Sequence, residues 1–217
     1  MKRCVGFCLA CCALLLCACG SRYAVSVDSL RDPDAPVAGG PCLLIPGNVD
    51  VGADDLLFRE VSRLLEPAFR EAGYPPATQR KGAAYVAKIS YWPGEPVTTV
   101  ETGIERGYRP IRYRGRVRYV PVERTTMTER TVYSVHLLLE CYAAASSSPG
   151  DPAAPEERLG PQVWRTEVSV SGKRDDFRAL LAGTVPALNG TLGTRTDGAR
   201  RFTVVMADDG EFSISEN

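Results

Sequence analysis

The chain is poor in the residues that carry most enzyme chemistry. It has one histidine, His136, in 217 residues. A Ser/His/Asp mechanism would have to run through it, with Ser134 or Ser90 as nucleophile. Ser134 and His136 stand two apart in a stretch with strand alternation, and no GxSxG elbow is present. The segment His136-Leu-Leu-Leu-Glu140 lacks HExxH spacing, so metal-assisted hydrolysis has no support. A Walker-type loop, a GxGxxG after a strand and an SxxK are all missing. Charge of one sign is also lacking: 26 basic residues balance 26 acidic ones, which argues against a polyanion-binding chain as a whole. No apolar run reaches the roughly 20 residues of a membrane span. Beyond residue 19 only Cys42 and Cys141 remain, with no CxxC or Cys/His cluster. That excludes the familiar zinc and redox sites, and no cofactor is implied.

What is present begins at residue 1. Lys2 and Arg3 precede a weakly polar or apolar run, Cys4 to Ala18, then Cys19-Gly20-Ser21. A cationic start, a short apolar core and a small-residue cleavage site describe a secretory signal peptide. Leu16-Cys17-Ala18-Cys19 resembles a bacterial lipobox, with an aliphatic residue at −3 and a small one at −1. The resemblance implies cleavage before Cys19 and a diacylglycerol on its sulfur. Cys17 fits worse, because Leu16 would then occupy the −1 position. Several acyl chains on Cys19 would hold the chain stably at a bilayer surface. Gly20 at +2 suits an outer membrane, with the domain facing the periplasm. Removal of residues 1–18 leaves 24 basic and 26 acidic groups, a net charge of −2.

Residues 19–40 read as a tether with one edge strand, Tyr23 to Ser29, followed by a Pro/Gly/Asp loop. Residues 41–217 read as a single domain. Pro41–Pro46 is a compact apolar run between breakers, hence a buried strand. Asp54 to Ala72 is the clearest helix: Leu57, Val61, Leu64, Leu65 and Ala68 form its stripe. Asp54 or Asp55 can cap it, and Gly73 supplies the stop. Pro67 predicts a bend near Ser62–Arg63, or a fresh turn. Ala84–Trp92 and Val97–Ile104 read as strands. Thr131–Ala145 is the strongest one, with Tyr133, Val135, Leu137, Leu139 and Cys141 on a single face. Residues 146–161 are Ser/Pro-rich and read as a mobile loop. Gln162–Ser171 resumes strand character, and Asp175–Asn189 reads as a second helix interrupted by Pro186. Phe202–Met206 and Glu211–Ser215 flank an Asp-Gly hairpin turn. The layout predicts an α+β fold, a mainly antiparallel sheet with two amphipathic helices packed on one face.

Several of these segments resemble a family of uncharacterised bacterial envelope lipoproteins. The matching features are the lipobox, the helix ending Glu71-Ala-Gly-Tyr74 and the strand Ala84–Ser90. The strand Thr131–Tyr142 and Gln162-Val-Trp-Arg-Thr-Glu167 complete the likeness. It implies location and fold, and brings no catalytic residues.

Arg109 to Arg124 is the one local feature that points to a partner. Arg112, Arg114, Arg116 and Arg118 recur at every second residue, with Tyr113, Val117 and Tyr119 between them. In a single extended strand they share one face. Gly115 marks a bulge or a turn. Arginine grips phosphate and carboxylate through paired hydrogen bonds, so the expected partner is an anionic envelope component or another envelope protein. Nucleic acid is not expected in that compartment. The bland reading is a solvated face whose charges pair with Glu95, Glu101 or Glu167. The pairs Asp54-Asp55, Asp175-Asp176 and Asp208-Asp209 read as caps and turns rather than cation sites. Cys42 and Cys141 form either a disulfide or two separate buried thiols, and the sequence does not choose. The expectation is a non-enzymatic, lipid-anchored envelope protein that binds or scaffolds. The alternative is an envelope hydrolase or transferase with a dispersed, motif-free site.

Overall fold

A computed structural model describes residues 21–36, 39–145, 159–207 and 209–217. The signal sequence with Cys19, and residues 146–158 of the expected loop, lie outside the described residues. Strands take 54% of the described residues and helices 14%. The fold is therefore β-rich, one large mixed sheet, and the α+β expectation is corrected. Its strands are β1 (Ser21–Arg31), β2 (Cys42–Pro46), β3 (Pro76–Ala77), β4 (Tyr85–Pro93), β5 (Val97–Tyr113), β6 (Arg116–Ala144), β7 (Leu159–Gly172), β8 (Arg200–Met206) and β9 (Phe212–Glu216). Spatial order is β3-β2-β4-β6-β7-β1-β8-β9, with β5 paired to β6 outside that path. β2 runs parallel to β3 and β4; the remaining pairs are antiparallel.

Two findings overturn the expected helix-to-strand balance. The first concerns β1, which lies inside the sheet between β7 and β8 rather than at an edge. Tyr23, Val25 and Val27 are buried in the core, so the segment expected to be an edge strand of the tether is an interior strand of the sheet. The second concerns Asp175–Asn189. It breaks into α2 (Phe177–Ala182) and α3 (Val185–Leu188). Pro186 cannot donate to the carbonyl four residues back, that of Ala182, and the Leu181 carbonyl is taken by the Thr184 hydroxyl at 2.7 Å and the Thr184 amide at 3.0 Å.

The expected first helix holds as α1 (Leu56–Glu71), running through Pro67. Asp55 caps it by accepting from the Phe58 amide at 2.9 Å. Gly73, with φ of 86°, ends it. There the Gly73 amide donates to Arg70 at 3.1 Å and the Tyr74 amide to Phe69 at 2.8 Å, the double bond pattern of a Schellman stop. Phe58, Val61, Leu65, Ala68 and Phe69 press this helix onto the sheet. They meet Val135, Leu137 and Leu139 of β6, Trp164, Val168 and Val170 of β7, and Leu180, Leu181 and Leu188 in one core. The inward face of β6 is the one the alternation predicted. The β8–β9 hairpin also forms as expected, and the Ala207 amide donates to the Glu211 carbonyl at 2.8 Å.

All the registers share one end. Ser21 pairs with Met206, and Met206 with Phe212. Ala24 pairs with Ser171, while Tyr133 pairs with Gly172. β4 reaches the same end, with Pro93 against Val135. From there β6 continues outward beyond the rest of the sheet, accompanied only by β5 among the described strands.

Candidate functional site

Val97 to Val132 form a two-stranded arm of 17 register pairs, about 57 Å long at strand rise. Among the described residues no other strand pairs with β5 or with β6 before Tyr133. The arm closes in the two-residue turn Arg114–Gly115, whose φ angles are 50° and 75°. Two positive φ values belong to the turn whose twist matches that of a hairpin.

That turn corrects the expected arginine stripe. Register places Arg112 opposite Val117 and Arg118 opposite Ile111. Arg112 therefore shares a face with Val117, whereas Arg116 and Arg118 lie on the other, and Arg114 sits in the turn itself. The four do not form one row. A different grouping replaces it.

One face carries Val100, Ile104, Tyr108 and Pro110 from β5 with Val117, Tyr119, Pro121 and Met127 from β6. Tyr108 and Met127 are each 75% exposed, Tyr119 69% and Ile104 66%. Its central charges neutralise each other: Arg106 donates to Glu123 at 3.0 Å. The opposite face carries Arg109, Arg116, Arg118, Arg124 and Arg130, with Ile111 and Val122 among them. Toward the root this second face is balanced, because Arg124 stands opposite Glu105 and Arg130 lies 3.9 Å from Glu101. Toward the tip, residues 107–122 hold five arginines and no carboxylate, and three of the five, Arg109, Arg116 and Arg118, lie on this face. The arm as a whole has eight arginines and four glutamates, a charge of +4. Residues 19–96 and 133–217 together carry 16 basic and 22 acidic groups, a charge of −6.

The sequence reading missed the apolar face and the inclusion of Arg109, Arg124 and Arg130. The signal was Arg114-Gly115 read as a turn, since a two-residue connection reverses which face every later residue occupies.

The residues of the catalytic alternative do not converge. Ser134, His136 and Glu140 are outward positions of one strand, so His136 and Glu140 stand about 14 Å apart along it. His136 stacks on Trp92 at 5.7 Å between ring centres. The two rings border an open trough of about 460 Å³ with Asp28, Arg165, Glu167 and Ser169. Arg165 and Glu167 form an ion pair there. Ser90 pairs with Leu138, diagonal to His136. Gly94 covers Ser134 so closely that a Cβ on it would lie 2.1 Å from the Ser134 Oγ. The acidic pairs act as read: Asp55 and Asp176 cap helices, and Asp209 accepts from the Glu211 amide at 3.0 Å. Asp208 lies outside the described residues. No cluster of three His, Cys, Asp or Glu suited to a metal occurs among the described residues.

Cys42 and Cys141 are both free and fully buried. β4 lies between their strands, Cys42 pairing with Tyr85 and Ala87 with Cys141. Two strand spacings put their Cα atoms beyond 9 Å or so, too far for a disulfide, which needs about 7 Å or less. The bridge the sequence left open is thus not formed. The thiols meet over β4, and hydrogen bonding to Cys42 followed by burial pushes the Cys141 thiol far up from its ordinary value.

No protein-family model matches the chain, and no curated protein does. Among solved structures it is similar to a PDZ domain protein from Parabacteroides distasonis ATCC 8503, at 10% identity and a TM-score of 0.39. That match covers 88% of this chain and 40% of the other, so this chain spans less than half of that protein. It is also similar to a PelC dodecamer from Paraburkholderia phytofirmans, at 14% identity and a TM-score of 0.39, covering 79% of this chain and 99% of that one. Likenesses this weak carry no functional argument.

Proposed function

We propose that this chain is a lipid-anchored, non-enzymatic protein of the bacterial envelope that binds or scaffolds other envelope components. In this reading Cys19 is the lipidated residue, and the domain faces the periplasm from the outer membrane. The arm is its contact element, and one observation carries that assignment. Thirty-six residues, 97–132, build an extension of which no described side chain belongs to the buried core. A two-stranded ribbon is at best marginally stable alone in water. A chain that maintains one with exposed tyrosine, valine, isoleucine and methionine uses it against something outside itself. The lipobox supports the anchor. No helix among the described residues is long and apolar enough to cross a membrane, so the attachment in this reading is the lipid.

The anchor is tested by growing cells expressing the wild type and Cys19→Ala with radiolabelled palmitate. Label in the wild type alone supports the reading. Equal labelling of both, or label in neither, overturns it.

A further inference from the structure

We infer that the arm is an interfacial β-ribbon that lies along the anionic leaflet holding the anchor. The inference rests on the proposed lipid at Cys19. β1 begins at Ser21, so a single residue separates that cysteine from the sheet. Two residues of extended chain reach about 7 Å. The end of the sheet where Ser21 pairs with Met206 is therefore held against the bilayer. The arm leaves from that same end, because β6 passes Tyr133, the partner of Gly172, and continues outward. A ribbon about 57 Å long leaving the membrane-facing end has two courses, along the surface or through it.

Charge decides against passing through. The tip carries Arg109, Arg112, Arg114, Arg116 and Arg118, and the apolar face itself includes Arg106, Arg112, Glu123 and Glu129. Neither face is a clean lipid-facing face of a spanning strand, where charges are strongly disfavoured. Lying flat suits both faces. Amphipathic surface segments sink an apolar face about 5–10 Å to the headgroup–acyl boundary and keep basic side chains on the other. Tyr108 and Tyr119 belong at that boundary. Val100, Ile104, Val117 and Met127 would lose their exposure to water there. Arginines on the opposite face then stand in the phosphate layer, where the guanidinium fork binds two oxygens.

The edges argue against the main competitor, strand pairing with a second copy. In a hairpin closed by a two-residue turn, Tyr113 and Arg116 exchange backbone bonds, so Pro110 and Pro121 fall at positions whose nitrogen points outward. One proline stands on each free edge. Each removes a donor that an added strand would need.

The test uses the full chain, made in cells, purified in detergent and returned to vesicles of phosphatidylglycerol and phosphatidylethanolamine with brominated acyl chains. Tyr119→Trp adds a reporter on the apolar face, and Val120→Trp adds one on the other. The wild type supplies the baseline for Trp92 and Trp164. The ribbon predicts loss of most of the emission added at 119 and a smaller loss at 120. It also predicts recovery at 119 when Arg109, Arg116 and Arg118 all become glutamine. No loss at 119 in protein that carries palmitate overturns the inference and leaves the anchor standing. Equal loss at both positions overturns it too, as does a multimer that shields position 119 without any quenching by lipid. Quenching at 119 in a chain that takes up no palmitate supports the ribbon and removes the anchor.

Discussion

Arg112 and Arg116 are four residues apart in sequence and lie on opposite faces of the arm, because the chain reverses at Arg114–Gly115 between them. In a continuous strand they would share a face. The turn thus converts a run of alternating arginines into a ribbon with one apolar and one basic side. It also sets the first prediction. Gly115 has φ of 75° and open space around it, so a valine there strains only the backbone, by about 1–2 kcal/mol. Gly115→Val should speed amide exchange through Val97–Val132 and leave the melting temperature of the sheet within a few degrees. A large fall in melting temperature would mean that the arm supports the fold.

The two prolines give a second prediction. Pro110→Thr with Pro121→Thr restores a donor to each free edge. Light scattering should then show self-association that the parent lacks at the same concentration. An unchanged mass would show that these edges need no protection.

A third prediction concerns the buried hydroxyls. Ser29 and Thr166, both fully buried, share a hydrogen bond of 2.8 Å, and Ser29 also donates to the Thr194 carbonyl at 2.9 Å. The Thr166 hydroxyl accepts from the Gly193 amide at 3.3 Å. Thr166→Val keeps the shape and leaves that amide unpartnered, which costs about 1–3 kcal/mol. Urea unfolding should report that loss, and a variant as stable as the parent would contradict the network.

The thiols and phenols predict alkaline instability. Cys141 is held neutral by its bond to Cys42 and by burial, and Tyr74 by burial against the opposing pull of Arg31. Both bind their proton more tightly folded than unfolded. Their contribution is therefore complete below the unfolded values, 9.0 and 10.0. It declines as pH rises beyond them, by about 1.4 kcal/mol per unit and group. Stability should start to fall near pH 9, and less steeply in Cys141→Val. Thiol titration should find Cys42 and Cys141 unreactive in the native chain and both reactive after unfolding without reductant. Finding neither reactive would indicate a disulfide and contradict the strand order.

Much of the fold could be read from local chemistry. Asp55, Gly73 and the apolar stripe between them mark α1. The alternation from Tyr133 to Cys141 identifies the buried face of β6, and the Asp-Gly pair marks the last hairpin. What failed was not local. Tyr23 to Ser29 alternates as an edge strand would, and only its pairing with both β7 and β8 makes it interior. The helix expected at Asp175–Asn189 has the right stripe, but Pro186 and the Thr184 hydroxyl divide it. That division, together with the length of β5 and β6, moved the fold from α+β to β-rich. At the candidate site the arginines were visible and their faces were not, because Gly115 could be a bulge or a turn. A bulge and a two-residue turn place the same residues on different sides.

The contact between arm and bilayer is tested most directly by amide hydrogen exchange on the palmitoylated full chain. Exchange is compared in vesicles of phosphatidylglycerol with phosphatidylethanolamine and in vesicles of phosphatidylcholine. Added protection in the anionic vesicles should be confined to Val97–Val132 and be greatest around the tip, residues 107–122. Protection that is the same in both lipids, or that falls on the trough around His136 and Trp92 while the arm stays open, would contradict it.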